Sequence, residues 1–271
     1  MCIANILEWF KKPYTPPTEE EVAKQTIENE EHIEIEQQEI ENPKENVSFG
    51  ETDIVCGSTM QKPKKVVLLD NGHASSTPGK RSPKFTDGTR LFEYEFNRDI
   101  VKRLVSLLEK EGIMYKVLVP ELYDDIPLTA RAARANSWCG EYGISNCLLI
   151  SIHANAYGKG DKWESPSGWE VWTCKGHTKS DDIAKMFWEE ASKILKNYGR
   201  RMRDGKVQGG GNPGPSYESN FTILTKTSCP AILTENLFYT NEEEAMWMMT
   251  EEGRDAIAIV HLNGIKRWLE S

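Results

Sequence analysis

The sequence predicts an α/β fold: a mostly parallel twisted sheet with helices on both faces, forming a single domain behind an acidic leader. Three observations carry this. From Lys65 onward, short β-rich apolar runs alternate with amphipathic helical stretches, the pattern of a sheet with crossover helices. Three of those runs end in polar, chemistry-bearing residues, as strands do where they open into a ligand crevice. The charge is also segregated. Thr18 to Gly50 holds eleven Glu against two Lys, which matches the formal net charge of −9 of the whole 271-residue chain, so the body that follows is nearly neutral.

Taken in order, residues 1–17 place Ile3, Ile6, Leu7 and Phe10 on one helical face, with Trp9 beside it and Lys11-Lys12 at its end. Such a short amphipathic segment suits a weak membrane or protein contact through residues 3–12. Residues 18–64 are Glu- and Gln-rich, and their isoleucines keep neither helical nor strand period. They read as a disordered, low-complexity linker. The body, 65–271, opens with a buried strand at Val66 to Leu69. A helix follows with Ile100, Leu104, Leu107 and Leu108 at helical spacing, stopped by Gly112. Met114 to Val119 is the second strand, Leu128 to Trp138 a helix after Pro127, and Cys147 to Ile152 a third strand. Trp169 to Thr173 is another strand and Ser180 to Tyr198 another helix. Phe221 to Thr225 and Ala231 to Thr234 read as two more strands, before closing helices from about Asn241 to Met249 and Glu252 to Glu270. A body of about 205 residues is within the range of one domain.

Composition excludes several functions. No apolar run approaches the roughly 18 to 20 residues of a membrane span, and the opening MCIANILEWFKK is a poor signal peptide because Glu8 interrupts its apolar stretch. The chain is therefore expected to be cytoplasmic after synthesis. Six scattered cysteines lack the dense spacing of a disulfide scaffold, and Cys174 with His177 makes at most half a zinc site, with no second pair at finger spacing. The single basic run, Arg200-Arg201-Met202-Arg203, is too short for a nucleic-acid footprint. The glycine-rich stretch from Gly209 to Gly214 lacks the Lys-Ser/Thr of a phosphate loop and reads as a flexible loop bordering the cleft.

The chemistry sits at the strand ends. The first strand runs into Asp70-Asn71-Gly72-His73, the third into Ser151-Ile152-His153-Ala154-Asn155, and the last into Thr234-Glu235-Asn236. Two of the chain's five histidines are there. Neutral imidazoles and a carboxylate suit Zn²⁺, whose catalytic sites commonly take three protein ligands and leave one position for water. Glu93, at the opening of the helix after the first strand, is the third candidate ligand. Taken singly, each has an ordinary alternative: a hydrogen-bonded strand-end histidine, or a helix-start carboxylate favoured by the dipole.

Taken together, VVLLDNGHA, EYEFN, LTARAARAN leading into LLISIHAN, and CPAILTENLFYTNEEE resemble the zinc-dependent N-acetylmuramoyl-L-alanine amidases of the type-three amidase family, known as bacterial autolysins and phage endolysins. The resemblance covers the chain from about Lys65 to its end. It implies one Zn²⁺ held by His73, Glu93 and His153, with Glu235 as the catalytic glutamate. The implied reaction is hydrolysis of the bond between N-acetylmuramic acid and L-alanine in peptidoglycan. Asn71 and Ala74 stand where the family commonly has Pro and Gly. Asn155 and Asn136 are candidates for polar contacts to substrate, and Arg131 either pairs with a stem-peptide carboxylate or with a structural acid. Trp163 and Trp169 flank a Pro-Ser-Gly turn and are read as packing residues. The expected partner is peptidoglycan and not nucleic acid, the expected state a monomer, and the expected site of action the wall after release from the cell. Two other readings keep part of this pattern: an inactive wall-binding or regulatory module, and a zinc peptidase acting on the stem peptide.

Overall fold

A computed structural model of the chain describes residues 65–121, 123–206 and 214–271. The expectations for residues 1–17 and 18–64, and for the glycine-rich stretch up to Pro213, lie outside the described residues. Within them the alternation resolves into β1 (Val66–Asn71), α1 (Glu93–Glu111), β2 (Met114–Val117), α2 (Leu128–Tyr142), β3 (Cys147–Asn155), β4 (Glu170–Thr173), α3 (Lys179–Leu195), β5 (Tyr217–Glu218), α4 (Thr222–Thr225), β6 (Ala231–Phe238), α5 (Glu242–Met248) and α6 (Glu251–Glu270), with 3₁₀ turns at Ile144–Asn146 and Lys196–Tyr198. One sheet runs in the order β2-β1-β3-β6-β4-β5. The first four of these strands are parallel, while β4 runs antiparallel to β6 and carries β5 parallel at the edge.

Strand alternation divides the sheet between two helical layers. Val66, Leu68, Cys147, Leu149, Ala231 and Leu233 pack on Ala132, Ala135 and Cys139 of α2 and on Ile223 and Leu224 of α4. The intervening Val67, Leu69, Leu148, Ile150 and Ile232 are fully buried on the other face, where α6 packs against both α1 and α3. Gly112 ends α1 in the left-handed conformation, with φ 65°, and its N–H closes on Glu109 and Leu108 carbonyls.

The segment Phe221 to Thr225 corrects the sequence reading. Its β-branched residues predict a strand, yet it forms a single helical turn. Leu224 and Thr225 N–H groups donate to the Phe221 carbonyl, and the adjacent Ile223 and Leu224 both pack into the same core layer, on one side of the sheet, which a strand's alternation forbids. The strands at Cys147 and Ala231 also run further than predicted, through His153 to Asn155 and through Glu235 to Phe238, because their polar residues stay in the ladder.

At the other end of the sheet, Lys65 Nζ donates to the carbonyls of Trp268 at 2.8 Å and Ser271 at 3.0 Å, a cation satisfying the last carbonyls of α6. Helices α1 and α6 are tied by Arg103. It bonds Asp99 at 2.8 Å and Glu251 at 2.7 Å, and also pairs with Asp255. Asp99 and Asp255 are both buried, so removing the cation strands Asp255 and leaves Asp99 with Arg254 alone, at 3.1 Å. Arg103→Ala is expected to destabilise the fold by about 3–5 kcal/mol, read as a lower urea midpoint at unchanged slope.

Candidate metal centre and active site

Parallel register brings the strand-end residues level. β1 and β3 pair Asn71 with Ile152, β3 and β6 pair His153 with Glu235, and β4 and β6 pair Glu170 with Glu235. Gly72, following β1, continues the row. A Cβ built on Gly72 falls 2.0 Å from His153 Cε1 and 2.3 Å from Nε2, so the imidazole occupies the space a side chain would need.

His73 turns the chain with φ 63°, in the left-handed region that a Cβ disfavours. The first turns of α1 hold that bend: Asn97 Nδ2 donates to the Gly72 carbonyl at 3.0 Å, and Arg98 Nη1 to the His73 carbonyl at 2.7 Å. Glu93 is the first residue of the same helix and is 1% exposed. Its Oε1 lies 3.1 Å from His153 Nδ1 and 3.5 Å from His73 Nε2, and accepts the Ala154 N–H at 3.3 Å. The two imidazoles meet edge to face with centroids 4.9 Å apart. One ligand atom from each of His73, Glu93 and His153 lies within 4.8 Å of the others.

Glu235 stands beside His153 and is half-buried. Past it, β6 bulges: Leu237 takes φ 71° and the register shifts between His153 and Asn155. Asn236 pins this bend, donating from Nδ2 to the His153 carbonyl at 2.8 Å and accepting Trp169 Nε1 at 2.7 Å. Glu244 of α5 accepts the N–H groups of Phe238 and Gly168, both at 2.8 Å.

The protonation states follow from burial and neighbours. Burial lowers His73 to about 4 in spite of the Glu93 charge, which leaves its ring neutral with a lone pair to donate. Burial lowers His153 too, but the hydrogen bond and charge of Glu93 outweigh it and raise the ring. Burial pushes Glu93 up, and its hydrogen bond to His153 with the surrounding positive charge brings it below the usual range. Glu235 has no such partner, and burial raises it to about 8.

Two imidazoles and a carboxylate with converging donor atoms can hold a divalent cation. Glu235 Oε2 is buried without a hydrogen bond, as an oxygen facing an ion or a substrate is left; Glu93 Oε2 has no hydrogen bond either, but lies 3.8 Å from Lys80 Nζ. Among the described residues this is the one cluster of three His, Cys, Asp or Glu that can hold a metal. Cys174 and His177 form no second one, and His177 instead faces Asp181 at 3.8 Å.

The three residues considered for substrate contact each carry hydrogen bonds within the protein. Arg131, 1% exposed, donates to Asp70 at 2.8 Å, to the Asn71 carbonyl at 3.1 Å and to Asp125 at 3.0 Å, so it is bonded to a structural acid. Asn136 bonds the Lys226 carbonyl at 2.8 Å and the Ser228 N–H at 2.7 Å, stitching α2 to the segment after α4. Asn155 Nδ2 donates to Glu170 at 2.7 Å, and its Oδ1 accepts the Ala156 N–H. Trp169 is fully buried, and Trp163 packs on Phe85.

Sequence reasoning missed the supporting set: Gly72, Asn97, Arg98, Asn236 and above all Glu170. The last is 2% exposed and is held by Asn155, Trp172 and Arg203. Its signal was an acid inside the apolar run Trp169 to Trp172, which a buried strand accepts only with partners.

Comparison with known proteins gives a family and a fold. The family model of the N-acetylmuramoyl-L-alanine amidases matches residues 67–267. The endolysin of Bacillus phage SPP1 is 28% identical over 204 residues, 74% of this chain and 65% of its own. The chain thus spans less than two thirds of that relative. The N-acetylmuramoyl-L-alanine amidase CwlM of Bacillus licheniformis is 28% identical over 202 residues, 74% of this chain and 67% of its own. The crystal structure of an N-acetylmuramoyl-L-alanine amidase from Clostridium difficile 630 superposes with a TM-score of 0.61 at 26% identity, over 78% of this chain and 99% of its own.

Because the His153 ring lies against Gly72, Gly72→Ala is expected to move that ring off the other two donors. The affinity of the metal-free protein for a divalent cation should fall about 10–100-fold, as for supporting residues of metal sites, measured by isothermal titration calorimetry.

Proposed function

The chain belongs to the N-acetylmuramoyl-L-alanine amidase family, and on that premise we propose that it is a zinc hydrolase of peptidoglycan. It cuts the amide between N-acetylmuramic acid and L-alanine, in lysis or remodelling of the wall. The observation that carries this reading is the convergence of His73, Glu93 and His153 with Glu235 beside them in register on the next strand. His73, Glu93 and His153 would hold one Zn²⁺. When bound, the ion supplies Lewis acidity toward the scissile carbonyl and makes hydroxide available from water near neutrality.

The chain's residues supply the rest. Glu235 accepts a proton from the attacking water through its carboxylate and passes it to the amide nitrogen as the C–N bond breaks. The products are a lactyl carboxylate on the glycan and a free L-alanine amine on the stem peptide. Its raised proton affinity suits a group that must both take and return a proton near neutral pH, and a dication bound nearby lowers that affinity toward the ionised form. Glu93 keeps both imidazoles oriented, and the near-neutral His73 ring needs no deprotonation before it ligates.

The test is release of stem peptides bearing a new amino-terminal L-alanine from purified peptidoglycan, with no new reducing sugar. His153→Ala is expected to lose both bound zinc and turnover. Glu235→Gln should keep zinc and fold while turnover drops about 10² to 10⁴-fold, and full turnover in this variant would sink the assigned role. In the metal-free protein, the raised Glu235 value means the folded state holds a proton that the unfolded chain releases near pH 4.5. Stability is therefore expected to fall as pH rises from about 4.5 through about 8. Thermal unfolding across that window should fall less steeply in Glu235→Gln.

A further inference from the structure

Between β1 and α1 the chain folds back on itself as a short clasp. Arg81 and Phe92 form an antiparallel bridge. On either side of it, the Glu93 N–H donates to the Lys80 carbonyl at 2.9 Å, and the Ser82 N–H to the Leu91 carbonyl at 2.8 Å. Ser82 Oγ in turn accepts the Leu91 N–H at 2.9 Å, and Arg90 closes on the Ser82 carbonyl at the same distance. The segment is braced from outside as well. A Cβ on Gly160 would sit 2.8 Å from the Arg81 carbonyl, so the β3–β4 connection lies directly against it. The clasp therefore fixes Lys80 opposite Glu93 by backbone pairing.

Its side chain uses that placement. Lys80 Nζ lies 3.8 Å from Glu93 Oε2, the oxygen that has no hydrogen bond although it is buried. The other oxygen, Oε1, is the one that faces His73 and His153. The Lys80 side chain is 39% exposed while that of Glu93 is 2% exposed, so the lysine covers the outer side of the carboxylate from the solvent edge. Among the described residues it is the one Lys or Arg paired with Glu93.

We infer that Lys80 is a positioning residue of the metal centre: it holds the outer oxygen of Glu93, so that the carboxylate presents Oε1 alone to the ion. The inference rests on the zinc reading of this centre. Two effects of the lysine have opposite signs, which makes it testable. As a bare positive charge it repels a dication, so its removal would tighten binding. As a positioning group it keeps the ligand oxygen in place, so its removal weakens binding.

The experiment is titration of Zn²⁺ into the metal-free full chain by calorimetry with a competing chelator. Wild type is compared with Lys80→Met, Lys80→Gln and Lys80→Arg, and with Lys84→Met as an exposed lysine of the same segment. Thermal unfolding of the metal-free proteins identifies any variant that has lost its fold. The expected result is a Kd raised about 10–100-fold in Lys80→Met and Lys80→Gln, largely restored in Lys80→Arg and unchanged in Lys84→Met. Unchanged or tighter binding in folded Lys80→Met and Lys80→Gln, with a zinc-binding wild type, overturns the inference and leaves the zinc reading standing. A wild type that takes up no zinc overturns both.

Discussion

The His153 imidazole lies where a side chain on Gly72 would be, and the arrangement of the crevice follows from that close approach. Only a residue without a Cβ lets two adjacent parallel strands stay in register while one carries a large ring at their shared end. With the ring seated there, Glu235 falls beside it on β6 and Glu170 beside Glu235 on β4, giving a row that crosses four strands. The backbone after Gly72 must then bend at once to return His73 to the same place, and it does so in a left-handed conformation secured by Asn97 and Arg98. The helix that supplies Glu93 is thus also the brace for the loop that supplies His73.

Electrostatics give the row its second constraint. Glu93, Glu235 and Glu170 bring three carboxylates to one end of the sheet, and each meets a different fate. Glu93 is ionised by two imidazoles and Lys80, Glu170 is saturated by three side-chain donors, and Glu235 has no donor and keeps a high proton affinity. Like charges packed this closely are tolerable only when their partners differ. Those differences set apart a carboxylate held ionised beside two imidazoles, a fixed structural charge and a group of high proton affinity.

Much of this was legible in the sequence because polar residues ending apolar strands are costly without a purpose. Asp70, His73, His153 and Glu235 announced themselves that way, and the alternation of strand and helix fixed which ends would share a side. What the sequence withheld was which polar groups are already occupied. Arg131 meets an aspartate 61 positions away and Asn136 a carbonyl 90 positions away, partners that no local pattern reveals, so Asn136 looked available and the acid expected for Arg131 could not be named. The turn at Thr222–Thr225 failed for the opposite reason. Its local preference for a strand was clear, and burial of two consecutive apolar residues against α2 overrode it.

The hydrogen bonds that Lys65 donates to the last carbonyls of α6 have a consequence for topology. They place the first and last described residues of the body within one side chain's length of each other, at the end of the sheet opposite the crevice. Joining Ser271 to Lys65 through a few residues would close the body into a ring without disturbing a strand. Fresh ends opened in an exposed connection such as Lys175–His177 would then give a permuted chain with the same row of side chains intact. The order in which the chain visits the six strands is therefore separable from the crevice they build, and a ring closed at that seam would gain the loop-closure entropy that the open chain must supply on folding.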